Sequence, residues 1–307
     1  MISIAMTSYN GEKYISSQLD SIIGQTVKDF ELFVCDDCSQ DNTYSILKGY
    51  EKKDSRIHAF QNISNLGFAK NFEHAIQLCK GDYVALCDQD DIWRPNHLEI
   101  LLNGIKNKDA SVGNSQIMDG TGTLKENLLS DGDGYFVDGN DNDKMFRVLF
   151  YGNPFQGTSA MYTRELLEKA LPIPAGVEYH DAWFAVCALA SKGINYTFET
   201  ITNYRIHGNN ASGNHKTSFI DRLKITLKRN GFKTDRLIFC EELLERFPGA
   251  NEDIKDIIYK AKDFFEARKA GNKIKVLGYS IKYYKKIYAT NSLKYLFPRC
   301  LRILIKG

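Results

Sequence analysis

The chain contains no apolar run long enough to cross a membrane and no recognisable export signal. Its longest apolar run, residues 182–190, has nine residues, about half of the roughly 18 that a membrane-spanning helix needs. The first ten residues lack a basic segment, so no signal peptide is expected. These absences predict a cytoplasmic protein that is not inserted into the bilayer.

Disulfide patterns and glycine-rich nucleotide loops are missing as well. The seven cysteines are odd in number and scattered over 307 residues, which favours reduced thiols. Cys35 and Cys38 form a C-x-x-C pair, but no second Cys/His pair stands at zinc-site spacing, and the two intervening aspartates oppose a reactive thiolate. Neither G-x-x-x-x-G-K-S/T nor a helix-opening G-x-G-x-x-G occurs, which disfavours P-loop and dinucleotide-binding proteins. A bound phosphate would therefore depend on a metal ion and polar side chains.

Charge is unevenly distributed along the chain, although the net charge is only +2. Residues 1–214 carry 18 Lys and Arg against 28 Asp and Glu, whereas residues 215–307 carry 22 against 10. Residues 271–307 hold nine basic and no acidic residues, interleaved with aliphatic and aromatic ones. This pattern predicts amphipathic contact with an anionic membrane surface; the alternative is a helical pair packed on the rest of the chain or on another subunit of a homo-oligomer. An acidic body without a known binding motif makes nucleic acid an unexpected partner.

Strand and helix patterns alternate over the first 120 residues. Strands are predicted at 2–6, 30–35, 56–60, 82–87 and 111–118, and helices at 12–23, 41–50, 68–79 and 95–105. Further on, 120–143 is predicted as a surface excursion, 157–162 and 196–206 as strands, 181–191 as a buried helix, and the chain from 218 as helical with a break near 247–249. The alternation predicts an α/β protein with a mostly parallel sheet flanked by helices and a C-terminal helical appendage.

Polar residues follow three of the predicted strands at the point where each strand ends. They occupy residues 7–10, 36–37 and 88–91. Because ligands of open α/β sheets bind outside the carboxyl ends of the strands, the three clusters predict one site at this edge.

Asp88 and Asp90 are two residues apart directly after a predicted strand. In extended backbone that spacing points both carboxylates the same way, which suits a hard divalent cation that binds phosphates. The alternative is an acidic turn or helix cap, since Asp91 precedes a predicted helix. An EF-hand is excluded because its sixth loop position, which requires glycine, is Trp93.

Two further residues have both a structural and a functional interpretation. Asp181 begins a predicted apolar helix, so it is either a helix cap or a partly buried carboxylate that acts as a general base. His207 ends a predicted strand before a Gly/Asn turn, so it is either structural or a metal ligand.

In chain order, these motifs resemble those of inverting glycosyltransferases of family 2, which have the GT-A fold. The resemblance is carried by Thr7-Ser8-Tyr9-Asn10-Gly11, Asp36-Asp37-x-Ser39-x-Asp41-x-Thr43, Asn65-x-Gly67-x-x-x-Asn71, Gly81-Asp82-Tyr83 with Asp88-Gln89-Asp90-Asp91, His180-Asp181 and Tyr204-Arg205-x-His207. Each motif is short, and their order and spacing make the combination specific. The similarity is greatest to bacterial rhamnosyltransferase-like members that build cell-surface polysaccharides. It implies a GT-A catalytic domain over 1–213 and a basic helical region over 214–307.

The resemblance implies a donor site and a metal site. The residues implied in nucleotide-sugar binding are Thr7, Tyr9, Asp37, Asn65, Lys70, Asn71 and Asp88. Within this set, Asp37 would accept a hydrogen bond from a pyrimidine ring N–H. Asp90 would hold Mn²⁺ or Mg²⁺ against the diphosphate, with His207 and Asp88 as further ligands, and an imidazole ligand suits Mn²⁺ better than Mg²⁺.

The resemblance also implies the reaction. Asp181 would be the catalytic base, Asp91 would touch the sugar or acceptor, and Gln156, Gly157 and His180 would border the acceptor. Asp181 would take the proton of the acceptor hydroxyl in a metal-dependent single displacement that inverts the anomeric centre. The implied donor is dTDP-rhamnose or a UDP-hexose. The implied acceptor is a glycan or lipid-linked saccharide of a cell-surface polysaccharide, at the inner face of the bacterial cell membrane.

Two other functions are compatible with parts of the sequence. A nucleotidyltransferase that makes sugar nucleotides typically has a Gly-rich, Arg-containing loop near its N-terminus, which is absent after residues 2–6. A non-catalytic nucleotide- or glycan-binding relative is disfavoured because both carboxylate sites are intact.

Overall fold

The computed structural model describes residues 1–131, 137–207, 235–288 and 296–306. The strands are β1 (Ile2–Ser8), β2 (Phe30–Asp36), β3 (Ile57–Gln61), β4 (Tyr83–Cys87), β5 (Ile92–Trp93), β6 (Ala110–Asp119), β7 (Leu124–Leu128), β8 (Ala160–Thr163) and β9 (Ile194–Ile206). The helices are α1 (Ile15–Ile23), α2 (Thr43–Glu51), α3 (Phe68–Leu78), α4 (His97–Ile105), α5 (Asp141–Phe150), α6 (Arg164–Ala170), α7 (His180–Ala190), α8 (Asp235–Arg246), α9 (Glu252–Lys269), α10 (Lys273–Lys282), α11 (Tyr284–Tyr288) and α12 (Leu296–Lys306).

Within these ranges, nine strands form one sheet in the order β3-β2-β1-β4-β8-β6-β9-β5, with β7 paired to β6. The β3-β2-β1-β4 half is parallel, and β6 is parallel to β9. β8 lies antiparallel between β4 and β6, and β5 and β7 are antiparallel to their neighbours. The predicted mostly parallel sheet flanked by helices is confirmed.

The alternating side chains of β1 enter two cores on opposite faces of the sheet. Ile4 and Met6 pack in a core with Leu19 of α1, whereas Ala5 packs in the core that contains Phe72 of α3 and Trp183 of α7. Successive residues of a strand point to opposite faces, so a strand covered on both sides reads as a continuous apolar run. This burial fixes the strand register and hence the position of the strand ends.

The carboxyl ends of β1, β2 and β4 lie side by side. Ser8 pairs in register with Asp36, and Met6 pairs with Cys87. The residues that follow these three strands therefore leave the sheet at the same edge, as the sequence predicts.

Two helices and one short strand of the structure lie outside the elements that the sequence predicts. These are α5, α6 and β5, and the predicted surface excursion at 120–143 contains β7 and the start of α5. α5 begins in a polar, loop-like segment that Asn140 caps, since its side chain accepts a hydrogen bond from the backbone N–H of Asp143. The burial of Met145, Phe146 and Leu149 then stabilises the helix, and this burial is a tertiary property.

The C-terminal helices pack against the body of the protein. Ile287 and Ile303 are fully buried and belong to the same core as Phe150 of α5 and Phe264 of α9. This burial agrees with the alternative interpretation of residues 271–307, in which helices pack on the rest of the chain, and the predicted membrane contact stays a prediction. The break at 247–249 separates α8 from α9. The predicted helix start at 218 and domain boundary at 213/214 lie outside the described residues. Among the helices that are described, none is long and apolar enough to cross a membrane.

Candidate active site

Three carboxylates follow β4 within four residues. Asp88 and Asp90 are half-buried and Asp91 is fully buried. Burial, together with the charges of Asp90 and Asp181, raises the pKa of Asp88 to about 8. Burial and the charges of Asp90 and Asp88 raise the pKa of Asp91 well above its usual value. The cluster therefore concentrates negative charge in a poorly solvated place, where a cation would stabilise the ionised forms.

Asp90 and His207 are in direct contact. Asp90 Oδ2 lies 2.8 Å from His207 Nε2, and the His207 ring stacks on Tyr14 with a centroid separation of 5.1 Å. The guanidinium of Arg205 lies over the Tyr14 ring, 4.6 Å from its centroid. Arg205 Nε donates to the Asp90 carbonyl oxygen at 2.7 Å. Four side chains from three chain segments thus form a closed set of contacts. Tyr14 and Arg205 are not among the predicted site residues, although Arg205 lies in the motif Tyr204-Arg205-x-His207.

The donor set around Asp90 fits a divalent cation in part. An imidazole and a carboxylate in contact match the ligand preferences of Mn²⁺. Beside them lie Asp88 and Asp91, whose ionisation is opposed first by burial and then by neighbouring negative charge. In the described parts of the chain, however, no group of three or more His, Cys, Asp and Glu side chains could by itself hold a metal ion. The predicted third protein ligand, Asp88, is therefore not brought into one ligand set with Asp90 and His207.

Asp91 is buried in the protein and is not exposed to a substrate as predicted. Its side chain is fully buried, and Oδ1 accepts a hydrogen bond from the backbone N–H of Arg205 at 2.9 Å. Direct contact with the sugar or acceptor, as the resemblance implies, does not agree with this burial. Asp91 instead joins the loop after β4 to the end of β9, which places His207 beside Asp90.

Gln89 locks the loop after β1 onto the loop after β4. Its Oε1 accepts from the backbone N–H of Tyr9 at 2.9 Å, and its Nε2 donates to the Tyr9 carbonyl at 3.0 Å. A Cβ added at Gly11 would overlap Gln89 Oε1, so the close approach requires glycine. This role of Gln89 has no signal in the sequence, because it depends on the loop after β1 meeting the loop after β4. Tyr9 is 49% exposed at the edge of the site, whereas Thr7 is buried.

Asp37 organises the segment before α3. Asp37 Oδ1 accepts from Asn62 Nδ2 at 2.7 Å and from the Leu66 N–H at 2.8 Å, and Oδ2 accepts from the Gly67 N–H at 2.9 Å. Asn65 Nδ2 donates to the Asp37 carbonyl at 3.0 Å. Three of the roughly four acceptor positions of the Asp37 carboxylate are used within the protein, and the residue is only 4% exposed. The predicted nucleobase contact would therefore depend on access to the remaining position on Oδ2.

Asn71 and Lys70 are used within the fold. Asn71 is buried, donates to the Cys35 carbonyl at 2.9 Å and accepts from Asn62 at 2.8 Å. The predicted ribose or diphosphate contact of Asn71 therefore does not agree with the structure, because both ends of its amide bind the protein. Lys70 pairs with Glu73 at 2.9 Å and donates to the Ile173 carbonyl at 3.1 Å.

Asp181 lies in the first turn of α7 and is half-buried. The N-cap position is Tyr179, so Asp181 is not the helix cap that the structural interpretation required. Burial raises the pKa of Asp181 to about 6, against the lowering effects of the Ala182 N–H, which donates to Oδ1 at 2.7 Å, and of the Arg236 charge. Its charge contributes to the raised pKa of Asp88, so the two carboxylates are near enough to interact electrostatically.

His180 is packed as a core residue. It is 2% exposed and stacks on Phe72 at 3.9 Å between centroids, with Phe68 at 5.0 Å. Burial lowers the pKa of His180 to about 3, so the ring is neutral. The predicted acceptor contact of His180 does not agree with this burial. A Cβ added at Gly157 would lie 3.0 Å from His180 Nε2 and 3.5 Å from Asp181 Cβ. Gly157 therefore packs directly against the side chains of His180 and Asp181.

Gln156 ends a buried chain of hydroxyl groups. Its Oε1 accepts from Ser115 Oγ at 2.6 Å, Ser115 Oγ lies 2.9 Å from Ser159 Oγ, and Ser159 Oγ lies 2.8 Å from Thr202 Oγ1. With Oε1 engaged, Gln156 retains its Nε2 donors for other contacts. Ser115 and Ser159 are not among the site residues that the sequence predicts.

Comparisons with known proteins agree with this arrangement of elements. Residues 3–171 match the family model described as "Glycosyl transferase family 2". The chain is 29% identical over 288 residues to an uncharacterized glycosyltransferase of Haemophilus influenzae, covering 85% of each protein. It is 38% identical over 120 residues to the Escherichia coli UDP-Glc:alpha-D-GlcNAc-diphosphoundecaprenol beta-1,3-glucosyltransferase WfgD, covering 38% of this chain and 47% of that one.

Two solved structures share the fold. The structure of S. aureus TarS 1–349 with UDP-GlcNAc superposes with a TM-score of 0.57 at 18% identity, covering 97% of this chain and 90% of that one. The mannosyltransferase PcManGT of Pyrobaculum calidifontis with GDP-Man and Mn²⁺ gives a TM-score of 0.50 at 17% identity, with coverage of 99% and 87%. The GT-A fold is confirmed.

Proposed function

The chain belongs to glycosyl transferase family 2 and is a transferase enzyme, and we propose that it moves a sugar from a nucleotide diphosphate donor to an acceptor hydroxyl with inversion at the anomeric carbon. One observation carries the proposal: Asp90 and His207 meet at 2.8 Å, and Asp181 acts electrostatically on Asp88 in the same cluster. These contacts support a pair that would hold a cation and a carboxylate that would act as a base around the same aspartates after β4.

Asp90 and His207 would hold Mn²⁺ or Mg²⁺, with diphosphate oxygens and water as the remaining ligands. When bound, the ion supplies Lewis acidity that offsets the charge gained by the departing nucleoside diphosphate. Asp91 and Arg205 keep the pair in position through the 2.9 Å bond between Asp91 Oδ1 and the Arg205 N–H. Asp37 would accept from the base N–H, and Thr7, Tyr9 and Asn65 would line the donor site with Asp88.

Asp181 would remove the proton of the acceptor hydroxyl. A pKa of about 6 leaves this carboxylate ionised near neutral pH and more basic than an exposed aspartate, which suits a general base. Asp181 takes the proton as the acceptor oxygen bonds to the anomeric carbon and the diphosphate leaves from the opposite face. Gln156 and Gly157 would border the acceptor.

Donor and acceptor classes follow from the relatives' names. WfgD is named for transfer from UDP-Glc to a diphosphoundecaprenol-linked sugar, and TarS was solved with UDP-GlcNAc. We therefore propose a UDP-hexose or dTDP-rhamnose donor, the latter as in the rhamnosyltransferase-like branch. The acceptor would be a lipid-linked saccharide of a cell-surface polysaccharide, at the inner face of the bacterial membrane. Residues 1–213 would form the catalytic domain and 214–307 a helical region attached to it.

The test follows release of nucleoside diphosphate from a panel of UDP-, dTDP- and GDP-sugars with Mn²⁺ and a diphosphoprenol-linked sugar. One donor should support turnover, and Asp181→Asn and Asp90→Ala should each lower the rate by about 10²–10⁴-fold. The matched control is Asp82→Asn, an exposed aspartate at the opposite end of β4, which should retain the wild-type rate. Wild-type rates in both site variants would refute the assignment, and donor binding without turnover would indicate a non-catalytic relative.

A further inference from the structure

The last described helix, α12, carries its two arginines inward and three large apolar side chains outward. Phe297, Leu304 and Ile305 are 55–58% exposed, whereas Arg299 and Arg302 are only 6% and 8% exposed. A surface helix of a water-soluble protein normally has the opposite arrangement. The apolar face of α12 therefore faces away from the core.

Contacts of the inward arginine fix this orientation. Arg299 Nη1 donates to the Phe150 carbonyl at 2.9 Å, its Nε donates to Ser280 Oγ at 3.2 Å, and its guanidinium lies 5.6 Å from the Phe264 centroid. The neighbouring Ile303 is fully buried. Rotating α12 to hide its outer face would break these contacts, so the exposed apolar face is built into the packing.

α10 extends the same surface. Lys273 Nζ at its start donates to the Leu304 carbonyl of α12 at 3.0 Å. Ile274 and Ile281 are 85% and 59% exposed, and their spacing of seven residues places them on one side of the helix. Two joined helices thus expose five large apolar side chains, and exposed apolar patches of this kind mark interaction sites.

Basic residues accompany this apolar face. Residues 271–307 contain no Asp or Glu, and Lys273, Lys282 and Lys285 are exposed. Lys275 is paired with Asp263 of α9 at 2.6 Å, which leaves the other lysines to set the sign of the surface. Apolar side chains surrounded by lysines are complementary to a bilayer with anionic headgroups.

We propose that the outer face of α10 and α12 docks on an anionic lipid bilayer, with the apolar side chains entering the headgroup region and the lysines contacting lipid phosphates. This docking rests on the proposed function, because a lipid-linked acceptor would be located in such a bilayer. A second copy of the chain is a poorer occupant, since a two-fold interface would bring the same lysines face to face.

The test is co-sedimentation of the full chain with two kinds of sucrose-loaded vesicle, at about 0.1 M salt. One kind is phosphatidylcholine alone, and the other also contains about 30% phosphatidylglycerol. Wild type should bind the anionic vesicles and bind the neutral ones much more weakly. Leu304→Ser with Ile305→Ser should weaken binding by on the order of tenfold per residue, and Lys282→Glu with Lys285→Glu by about fivefold or more per residue.

Matched controls are Phe198→Ser and Lys52→Glu, which change exposed residues outside the segment and should bind like wild type. Thermal unfolding verifies that each variant is folded. The proposal is overturned if wild type does not bind anionic vesicles, or if the face variants bind them as well as wild type does. It is also overturned if the protein does not bind vesicles but forms a dimer that Leu304→Ser dissociates. Turnover in detergent is measured separately, so that vesicle binding without turnover would count against the proposed function alone.

Discussion

His207 Nε2 lies 2.8 Å from Asp90 Oδ2 although 117 positions separate the two residues in the chain. Asp90 follows β4 and His207 follows β9, so the contact exists because the sheet carries both strands. Arg205 reinforces it from two sides, through its N–H to Asp91 and its Nε to the Asp90 carbonyl. The contact is the geometric basis of the proposed cation site.

Removing the imidazole should weaken binding of the cation. We expect His207→Ala to raise the Mn²⁺ concentration for half-maximal rate by about 10–100-fold, as losing one orienting or ligating group commonly does. Titration of nucleoside diphosphate release with Mn²⁺ measures this. His58→Ala, which removes a histidine stacked on Phe33 at 5.0 Å away from these contacts, is the control. An unchanged Mn²⁺ dependence in His207→Ala would exclude His207 as a ligand.

The rate should depend on the ionisation of Asp181. With a pKa of about 6, the ionised base disappears below that pH, so the rate should fall about tenfold per pH unit there and level off above it. A pH profile of kcat/KM, which reports the ionisation of the free enzyme, measures the effect. A profile without a limb near pH 6 would contradict the assignment of Asp181 as base.

Asp181 should also lower the stability of the protein when ionised. Its folded pKa of about 6 is above the ordinary value of 3.8, so the folded state binds the proton more tightly and loses stability as pH rises from about 4 to 6. Asp181→Asn should therefore increase the free energy of unfolding at pH 7.5 by about 1–3 kcal/mol. At pH 4 the gain should largely vanish. Denaturant unfolding at both pH values measures this difference in the free energy of unfolding. An equal gain in the free energy of unfolding at pH 4 would refute the ionisation argument.

Gly11→Ala should disturb donor binding through Gln89. The added methyl group overlaps Gln89 Oε1 and would break the two hydrogen bonds to the Tyr9 backbone. We expect the donor KM to rise about tenfold, given roughly 1 kcal/mol or more for each lost bond. Gly49→Ala, in the last turn of α2 with open space around it, should leave KM unchanged and stabilise the protein by up to about 0.5–1 kcal/mol. Equal KM values for the two variants would argue against the clamp.

Gly157→Ala should displace α7 residues next to the base. A Cβ there would lie 3.0 Å from His180 Nε2, and the His180 ring is held by stacking on Phe72. We expect about 1–2 kcal/mol of destabilisation and a kcat roughly tenfold lower, because small displacements of catalytic groups are costly. Gly152→Ala, with nothing within 4 Å, is the control. A wild-type kcat in Gly157→Ala would show that the packing beside Asp181 is adaptable.

Apart from the two-residue strand β5, the order of strands and helices through α4 could be predicted from the sequence, with bounds within about three residues. Periods of two and 3.6 residues are local properties of the chain, and β1, β2 and β4 are apolar runs ending in polar residues. The sequence missed α5, whose start is rich in Asp and Asn and whose stabilisation comes from burial of Phe146 and Leu149 in a core shared with α9. Such burial has no local signature.

The sequence by itself determined that polar clusters follow β1, β2 and β4 and would meet at one sheet edge, because parallel pairing aligns strand ends. Only the tertiary structure decided how those residues are used. It brings Asp90 to His207, engages the amide of Asn71 within the fold, and buries Asp91 and His180. It also turns the arginines of α12 inward. Whether a polar side chain meets a ligand or a protein partner depends on packing between distant segments, which residue type and spacing do not specify.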